Sequence, residues 1–331
     1  SHAPGGQATS HGGFWALTLG AIFWIYSRDL PSHETLAQYT PKTISRIYSG
    51  EGLLMDEFAR ERRIFTPVDE IPDRVKQAFI SAEDKNFYEH RGFDPVGIGA
   101  AVYDAAVHGG RLRGASTITQ QVMKNFLLSS DRSVERKVKE LILATRLEQT
   151  LSKDKILELY LNEIFLGQNS YGVAAAAQTY FNKQLSDLAP HEAAMLAAMP
   201  QAPSRSTVAD KDHITERRNY VLREMWQNGY LDEATFRSEA ALPLRTVQNG
   251  DFPSFRQQLP PRDYFTDEIR RQLSASLGDE ELFTGGLSIR ATVDPALQKV
   301  AARALRDGLE QYDRSLRIYN GPVAKVDAAS F

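Results

Sequence analysis

Apolar residues recur every three or four positions along most of the chain between Ile71 and about Tyr230, which is the spacing of amphipathic helices. The first helix starts near Pro72, because proline suits the first turn, and the Asp94-Pro95 pair is expected to stop it and to start the next helix. Its apolar face consists of Val75, Ala78, Phe79 and Ala82. Further helices are expected over "VGIGAAVYDAAV", "TITQQVMKNFLL", "VERKVKELILATRLEQT" and "KDKILELYLNEIFL". The pattern therefore predicts a mainly α domain.

Serine precedes three of these helical stretches, where its hydroxyl can accept a hydrogen bond from a free backbone N–H of the first turn. The three predicted caps are Ser116, Ser133 and Ser152. In the helix after Ser133, the spacing predicts a packing face made of Val134, Val138, Leu141, Ile142 and Thr145.

The flanks of the helical region have a different pattern. The stretch "SRIYSGEGLLMDEF", Ser45 to Phe58, predicts two short strands around a Ser-Gly-Glu-Gly turn. After a proline-punctuated linker, Leu287, Ile289, Ala291 and Val293 alternate as in a strand, and a helix is expected from Asp294-Pro295. The C-terminal region is therefore expected to be the incomplete start of a second, mixed α/β domain.

The N-terminal stretch "GGFWALTLGAIFWIY" carries no charge and has aromatic residues at both ends, as membrane anchors do. It is shorter than the about 20 residues that span a bilayer core, so a buried core helix is the alternative. We expect a tail or tag over residues 1–11 and a transmembrane anchor over 12–27. A linker with a short β-hairpin is expected over 28–70, the main helical domain over 71–240, and a linker with the incomplete second domain over 241–331.

Composition narrows the function classes. The net charge of −3 argues against a generic nucleic-acid binder, and no nucleic-acid partner is expected. The chain has no cysteine, which excludes disulfides, thiolate catalysis and cysteine zinc sites. Between Arg111 and Tyr160, however, 10 lysines and arginines stand against 6 aspartates and glutamates. This local excess of positive charge suggests an anionic ligand, although solvated helix faces give the same count.

Three sets of polar residues are candidates for chemistry. Glu83 is expected to share its helix with Phe79, Ala82 and Phe87. A carboxylate in such surroundings holds its proton more tightly, which helps a general base to work near neutral pH. Thr117, Gln121 and Lys124 share one face of the helix after Ser116. This face is either a wall for a polar, anionic ligand or an ordinary exposed side of the helix. Arg136 and Lys137 precede Glu140 by four and three positions, so all three can meet on one side of a helix. Ordinary surface ion pairs have the same spacing. His90 is either a proton carrier or a structural donor.

Four motifs occur in order: "AEDKNFYEHRGFDPVGI", "GASTITQQVMKN", "RKVKELILATRLEQTLSKDKILELYLNEIFLG" and "YGVAAAAQTYFNK". Together they closely resemble the family 51 glycosyltransferases, the peptidoglycan polymerases of class A penicillin-binding proteins. The resemblance is dense from about Ile71 to Pro203. It implies a lysozyme-like, mainly helical fold with a membrane anchor. One departure is Gly114-Ala115 before the second motif, where the family often has Gly-Gly.

The resemblance also implies an activity and a location. Members polymerise lipid II into β-1,4-linked glycan strands with inversion and release undecaprenyl pyrophosphate. The expected partners are lipid II, the growing glycan chain, the membrane and other cell-wall synthesis proteins. The expected location is the bacterial inner membrane, crossed once, with the catalytic domain on the periplasmic face.

Motif matching assigns the expected site residues. The catalytic base of the family matches Glu83, and its second glutamate matches Glu140. The matching substrate-binding positions are Asp84, Phe87, His90, Thr117, Gln121, Lys124, Arg136 and Lys137. The cations would hold the departing pyrophosphate, and Glu140 would orient Arg136 and Lys124 or hold a divalent ion, Mg²⁺ or Mn²⁺. No cofactor is expected to be required.

Two rival functions remain open, namely a lytic enzyme on the same fold and a non-catalytic membrane-anchored scaffold. A lytic enzyme needs a general acid but no cationic cradle for pyrophosphate. Transpeptidase activity is not expected, because the one formal Ser-x-x-Lys match, Ser152 to Lys155, lies at a predicted helix start and lacks its partner motifs.

Overall fold

The structure is a computed structural model that describes residues 36, 39, 42–108, 116–127, 134–260, 263–317 and 321. The chain divides into two compact units. The first unit comprises the chain up to Ile44 together with Ala59–Gln258, and the second comprises Ser45–Phe58 together with the chain from Leu259 onward. The described part is mainly helical, as the apolar periodicity predicts.

The first unit holds ten of the described helices and a two-stranded parallel sheet. The strands are β3 (Arg62–Arg63) and β4 (Ser170–Tyr171). The two strands before them in the chain, β1 (Ser45–Tyr48) and β2 (Leu54–Phe58), belong to the second unit. The helices are α1 (Asp73–Glu83), α2 (Pro95–His108), α3 (Ile118–Leu127), α4 (Val134–Thr150), α5 (Lys153–Glu163), α6 (Val173–Phe181), α7 (Pro190–Ala198), α8 (Lys211–Gln227), α9 (Glu233–Ala240) and α10 (Phe255–Gln258).

One hydrophobic core runs through these helices. On one side, α7 packs against α1 and α8, and on the other, α3 packs against α4 and α5. The predicted apolar face of α1 is confirmed, since Val75, Ala78 and Phe79 are fully buried and Ala82 is partly buried. The helix α3 contributes Ile118, Val122 and Met123 to the same core, so its other faces are left for polar residues.

The end of α1 differs from the expectation. The helix stops at Glu83 rather than at Asp94-Pro95, because Asp84 leaves the helical conformation with φ −163° and ψ 74°. Phe87 therefore lies beyond the helix that carries Glu83, although it is fully buried. The second half of the expectation is confirmed, since α2 begins at Pro95.

The packing face of α4 was also predicted wrongly in part. Ile142 is buried, but Leu141 is 37% exposed and Val138 is only partly buried. The face turned to the core consists of Glu140, Leu143, Ala144 and Leu147, which also follow helical spacing. Two apolar registers were compatible with this sequence, and the packing of α4 against α3 selects the one that includes Glu140.

The predicted serine caps have different outcomes. Ser152 is confirmed, because its side chain accepts a hydrogen bond from the N–H of Lys155 at the start of α5. At the start of α3, Thr117 rather than Ser116 accepts the bond, from the N–H of Gln120 at 3.2 Å. Ser133 lies outside the described residues.

The second unit is built on a three-stranded sheet with the order β2-β1-β5. The predicted hairpin is present: β1 (Ser45–Tyr48) pairs antiparallel with β2 (Leu54–Phe58). β5 (Ser288–Arg290) pairs parallel with β1, with Ile289 opposite Ile47. The helices of this unit are α11 (Tyr264–Leu277), α12 (Asp279–Thr284) and α13 (Pro295–Ser315). This unit has a small core of its own, and the four alternating residues predicted from the sequence are partly buried against it.

The predicted transmembrane anchor over residues 12–27 lies outside the described residues. Among the residues that the structure does describe, no helix has both the length and the apolar character needed to cross a membrane.

Candidate active site

Glu83 is the last residue of α1, and its side chain is only partly exposed. Its Oε2 accepts a hydrogen bond of 2.9 Å from Nε2 of Gln121 on α3. Burial raises the pKa of Glu83 above its ordinary value of 4.5, because the charged form loses contact with water. Such a carboxyl group exchanges its proton closer to neutral pH, as a general acid or base must.

Three groups oppose this effect of burial. The hydrogen bond from Gln121 lowers the pKa of Glu83, and so do the positive charges of Arg217 on α8 and Lys124 on α3. The neighbouring negative charge of Asp84 raises it. The pKa of Glu83 is raised overall, so burial outweighs the nearby cations. Lys124 is exposed and can therefore also meet a ligand from solution.

Arg217 was not predicted as a site residue. Its guanidinium lies 4.4 Å from the ring centroid of Tyr220. The neighbouring Arg218 is fully buried, and its Nη2 donates hydrogen bonds to the backbone oxygens of Ala240 and Leu242. The sequence signal was therefore an arginine pair in the middle of an amphipathic helix, with only one member on the apolar face.

Asp84 and His90 form a buried pair next to Glu83. Nε2 of His90 lies 3.0 and 2.9 Å from the two carboxylate oxygens of Asp84. Oδ2 of Asp84 also accepts a hydrogen bond of 2.9 Å from the N–H of Ile118, the first residue of α3. The protein contacts of Asp84 thus join the end of α1 to the start of α3, and they support the structural role for His90.

Phe87 and Thr117 are buried beside this pair. The ring of Phe87 packs edge-on against His90, with centroids 6.2 Å apart. Thr117 donates a hydrogen bond of 2.9 Å from Oγ1 to the backbone oxygen of Gly92. A side chain at Gly92 would meet the backbone of Ala144 at 2.7 Å, and its φ of +89° favours glycine. The motif glycine thus allows this turn to approach α4 closely.

Glu140 is held by the two cations that precede it on α4. Its Oε1 lies 3.0 Å from Nε of Arg136, and its Oε2 lies 2.9 Å from Nζ of Lys137. The side chain of Glu140 is 3% exposed, whereas those of Arg136 and Lys137 are 20% and 50% exposed. The carboxylate is thus buried, and its cations extend toward solvent.

Lys137 also connects Glu140 to the start of α3. Its Nζ donates to Oγ of Ser116 at 2.8 Å and to Oε1 of Gln120 at 3.1 Å. Two groups of side chains therefore contact α3. In the first, Glu83 accepts a hydrogen bond from Gln121, with Lys124 nearby. In the second, Lys137 bonds both Glu140 and Gln120. The sequence interpretation had Glu140 orienting Arg136 and Lys124. Among the described residues, Glu140 does contact Arg136, but its second cation is Lys137 rather than Lys124.

A divalent ion beside Glu140 fits this arrangement poorly. Both oxygens of its carboxylate already face a cation, and an ion would have to displace one of them. Within the described part of the chain, no group of three or more His, Asp or Glu side chains is placed to hold a metal ion.

A cavity of about 370 Å³ lies between the end of α7 and the first half of α8. Its polar lining includes Gln201, Arg205, His213 and Arg217. The ten residues predicted for the site are absent from the lining of this cavity, which is drawn from the described residues. Arg217 nevertheless relates it to Glu83, because the charge of this arginine acts on that carboxylate.

Similar proteins are known for most of this chain. Residues 51–226 match the model of the transglycosylase family. Penicillin-binding protein 1A of Rickettsia typhi is 41% identical over 92% of this chain, which covers 39% of that protein. Penicillin-binding protein 1A of Neisseria flavescens is 44% identical over 93% of this chain and is covered to 38%. The crystal structure of penicillin-binding protein 1A from Haemophilus influenzae covers 88% of this chain, at 27% identity and a TM-score of 0.48, and is covered to 34%.

The chain therefore spans less than two fifths of the length of these curated relatives. The family match, by contrast, covers more than half of this chain, and it includes all four motifs and every predicted site residue. The chain belongs to the transglycosylase family.

Proposed function

We propose that this chain is a peptidoglycan glycosyltransferase that polymerises lipid II. The 4-hydroxyl of an acceptor sugar attacks the anomeric carbon of the donor sugar, while Glu83 takes the hydroxyl proton. The bond between that carbon and the pyrophosphate oxygen breaks, and undecaprenyl pyrophosphate leaves with the bonding electrons. Attack opposite the leaving group inverts an α link to a β-1,4 link, so no covalent intermediate with the enzyme is required.

The observation that carries this proposal is the environment of Glu83. A half-buried carboxylate with a raised pKa is a better base toward a sugar hydroxyl than a solvated one. Gln121 fixes one of its oxygens at 2.9 Å, which holds the carboxylate in place for the proton transfer.

The cations supply the second requirement, the stabilisation of the departing pyrophosphate. Lys124 is exposed near Glu83, and Lys137 and Arg136 are partly exposed around Glu140. Positive charges already held in place cost little reorganisation when negative charge develops on a leaving group. In this scheme Glu140 orients Arg136 and Lys137, and a divalent cation, Mg²⁺ or Mn²⁺, is not required.

The direct test compares wild type with Glu83→Gln on lipid II, and the product is glycan resolved by gel or chromatography. Glutamine keeps the shape of the side chain, but its amide cannot accept the proton of the hydroxyl. We expect wild type to make glycan polymer and the variant to lose nearly all of that rate. Polymerisation by the variant at the wild-type rate would remove Glu83 from the role of base.

A lytic enzyme is the second candidate, because a raised pKa at Glu83 also suits a general acid. The cationic group around Glu140 favours the synthetic reaction, since glycan cleavage releases no pyrophosphate. Incubating the protein separately with lipid II and with finished glycan separates the two reactions. We expect polymer from the first and no cleavage of the second. Cleavage of glycan without polymerisation would support the lytic enzyme.

A scaffold without catalysis is disfavoured by the paired carboxylates and cations, although partner binding can coexist with catalysis.

We propose a single-pass anchor over residues 12–27 in the bacterial plasma membrane, with the site on the periplasmic face. In this arrangement the lipid-borne substrate and the growing glycan reach the site from the membrane, and other cell-wall synthesis proteins are the expected protein partners.

We propose no transpeptidase activity for residues 1–331. Ser152 caps α5, and Lys155 pairs with Glu158 at 2.5 Å, so the formal Ser-x-x-Lys match already has a structural use. Incubation with a labelled penicillin, followed by mass spectrometry, is expected to give no covalent adduct. An adduct on Ser152 would contradict this assignment.

A further inference from the structure

A second ion pair lies behind the buried Asp84–His90 pair. Glu148, near the end of α4, has a side chain that is only 4% exposed. Its Oε1 accepts hydrogen bonds from Nζ of Lys153 at 2.8 Å and from Oγ1 of Thr119 at 2.5 Å. The pair therefore joins α4 and α5 to the first turn of α3. Glu148 and Lys153 were not among the predicted site residues.

Lys153 also faces His90. Its Nζ lies 3.5 Å from Nδ1 of His90 and 4.5 Å from the ring centroid of Phe87. An ammonium group has donors only, so Nδ1 must be the acceptor in this contact. Nε2 then carries the ring proton and donates it to the carboxylate of Asp84, 2.9 Å away. The Asp84 carboxylate, which can only accept, fixes this tautomer by itself. Lys153 fixes the orientation of the ring from its other side, where Oε1 of Glu148 lies 3.9 Å from the same Nδ1.

The consequence reaches Glu83 through α3. Asp84, oriented by His90, accepts the hydrogen bond from the N–H of Ile118 and so ties the first residue of α3 to the residue that follows Glu83. One turn further along, α3 carries Gln121, which bonds Oε2 of Glu83. The contacts therefore run without a break from Glu148 and Lys153 to the proposed base.

We propose that Glu148 and Lys153 are positioning residues, which hold the imidazole of His90 in its orientation toward Asp84 and thereby set α3 against Glu83. This inference rests on the proposed function for its effect on rate, but not for its effect on His90. Burial removes the hydration of the Glu148 carboxylate, which offsets much of what its ion pair with Lys153 adds to stability. The value of this ion pair is the fixed direction that it gives to the imidazole.

The variants for the test are Lys153→Met, which removes the donor, and Lys153→Arg, which restores one. Lys155→Met is the matched control, because Lys155 lies on the same helix and pairs with Glu158 at 2.5 Å, and among the described residues it makes no contact with His90. Changing groups that orient a functional side chain typically costs about 10-fold to 100-fold in activity. We expect Lys153→Met to lower kcat about 10-fold with KM little changed, and Lys153→Arg to recover most of that loss. Lys155→Met is expected to match wild type.

A spectroscopic measurement keeps the inference separate from the proposed function. In protein with ¹⁵N-labelled histidine, the ring nitrogens of His90 report their hydrogen bonds directly, and His90→Gln identifies their signals. Nε2 is expected to carry its proton in every variant, because the Asp84 carboxylate can only accept. We expect the Nδ1 signal to keep the shift of a hydrogen-bond acceptor in wild type, Lys155→Met and Lys153→Arg, and to lose it in Lys153→Met. The same Nδ1 shift in wild type and Lys153→Met would overturn the inference, whatever the rate on lipid II. Equal losses of kcat in Lys153→Met and Lys155→Met would also overturn it. Failure of wild type to polymerise lipid II would instead contradict the proposed function.

Discussion

Glu83 and Glu140 are both connected to helix α3 through side-chain contacts. Their surroundings differ, and so does the chemistry to which each is suited. Among the described residues, Glu83 has a single amide at hydrogen-bond distance, with cations acting on it from nearby, and burial raises its pKa. Glu140 is more deeply buried, but two cations contact its oxygens at 3.0 and 2.9 Å. A carboxylate short of direct cationic partners is suited to take a proton, whereas a doubly paired one is suited to hold its cations in place. Residue type alone does not decide between these roles.

The distinction between the two glutamates fails most directly if loss of charge lowers the rate equally at both positions. Glu83→Gln is expected to reduce the rate of lipid II polymerisation by about 100-fold or more, the usual contribution of a general base. Binding of lipid II should change little, because the substituted amide keeps the size of the side chain. A loss of binding with an unchanged kcat would place Glu83 among the binding residues instead.

Glu140→Gln is expected to have a smaller effect on rate, about 10-fold in kcat, because the cations remain but lose their fixed directions. This variant should also lower the free energy of unfolding by about 2 kcal/mol, since one charge-assisted hydrogen bond and one ion pair are weakened in a buried place. Chemical denaturation beside steady-state kinetics measures both effects. An effect on kcat as large as that of Glu83→Gln would remove the distinction between the two residues.

The two substitutions are further expected to change stability in opposite directions. A raised pKa means that the folded protein binds the proton of Glu83 more tightly than the unfolded chain does. The stabilisation from Glu83 is therefore complete below pH 4.5 and is lost as pH rises through the higher, folded-state pKa. Glu83→Gln should match wild type in acid and exceed its free energy of unfolding at neutral pH. Thermal unfolding at a series of pH values tests this, and a variant less stable than wild type at neutral pH would contradict it.

The smallest expected effect sharpens the account of Glu83 itself. Arg217 lowers the pKa of Glu83, so Arg217→Met should raise that pKa further. The acid limb of the pH dependence of kcat/KM should then move to higher pH, while the rate on the alkaline side changes little. Arg223→Met is a suitable control, because Arg223 lies on the same helix α8 and does not contribute to the shift at Glu83. An acid limb that moves equally in both variants would mean that general charge, rather than Arg217, sets its position.

The sequence predicted the features that depend on local pattern. The helical faces of α1, the cap at Ser152 and the alternating strand at Ile289 follow from spacing within one element, and the structure confirms them. The motif match gave candidate residues, and most of these lie in the groups around α3. Their assignment to particular roles stays a prediction.

The features that the sequence did not predict depend on contacts between distant segments. The helix α1 ends at Glu83 because Asp84 bonds His90 and Ile118, and local propensity contains no sign of that partner. Arg217 approaches Glu83 only because α8 packs against α1, 134 positions along the chain. By helical spacing alone, Leu141 and Leu143 were equally compatible with the core face. The packing of α4 on α3 buries Leu143 and leaves Leu141 exposed.

The most direct measurement is a titration of the Glu83 carboxyl group by ¹³C NMR, with Glu83→Gln to identify its signal, beside the pH dependence of lipid II polymerisation. If Glu83 is the base, its carboxyl carbon titrates above pH 4.5 and the acid limb of the rate follows the same pKa. A carboxyl group that titrates at or below 4.5, with a rate that falls at an unrelated pH, would contradict the account.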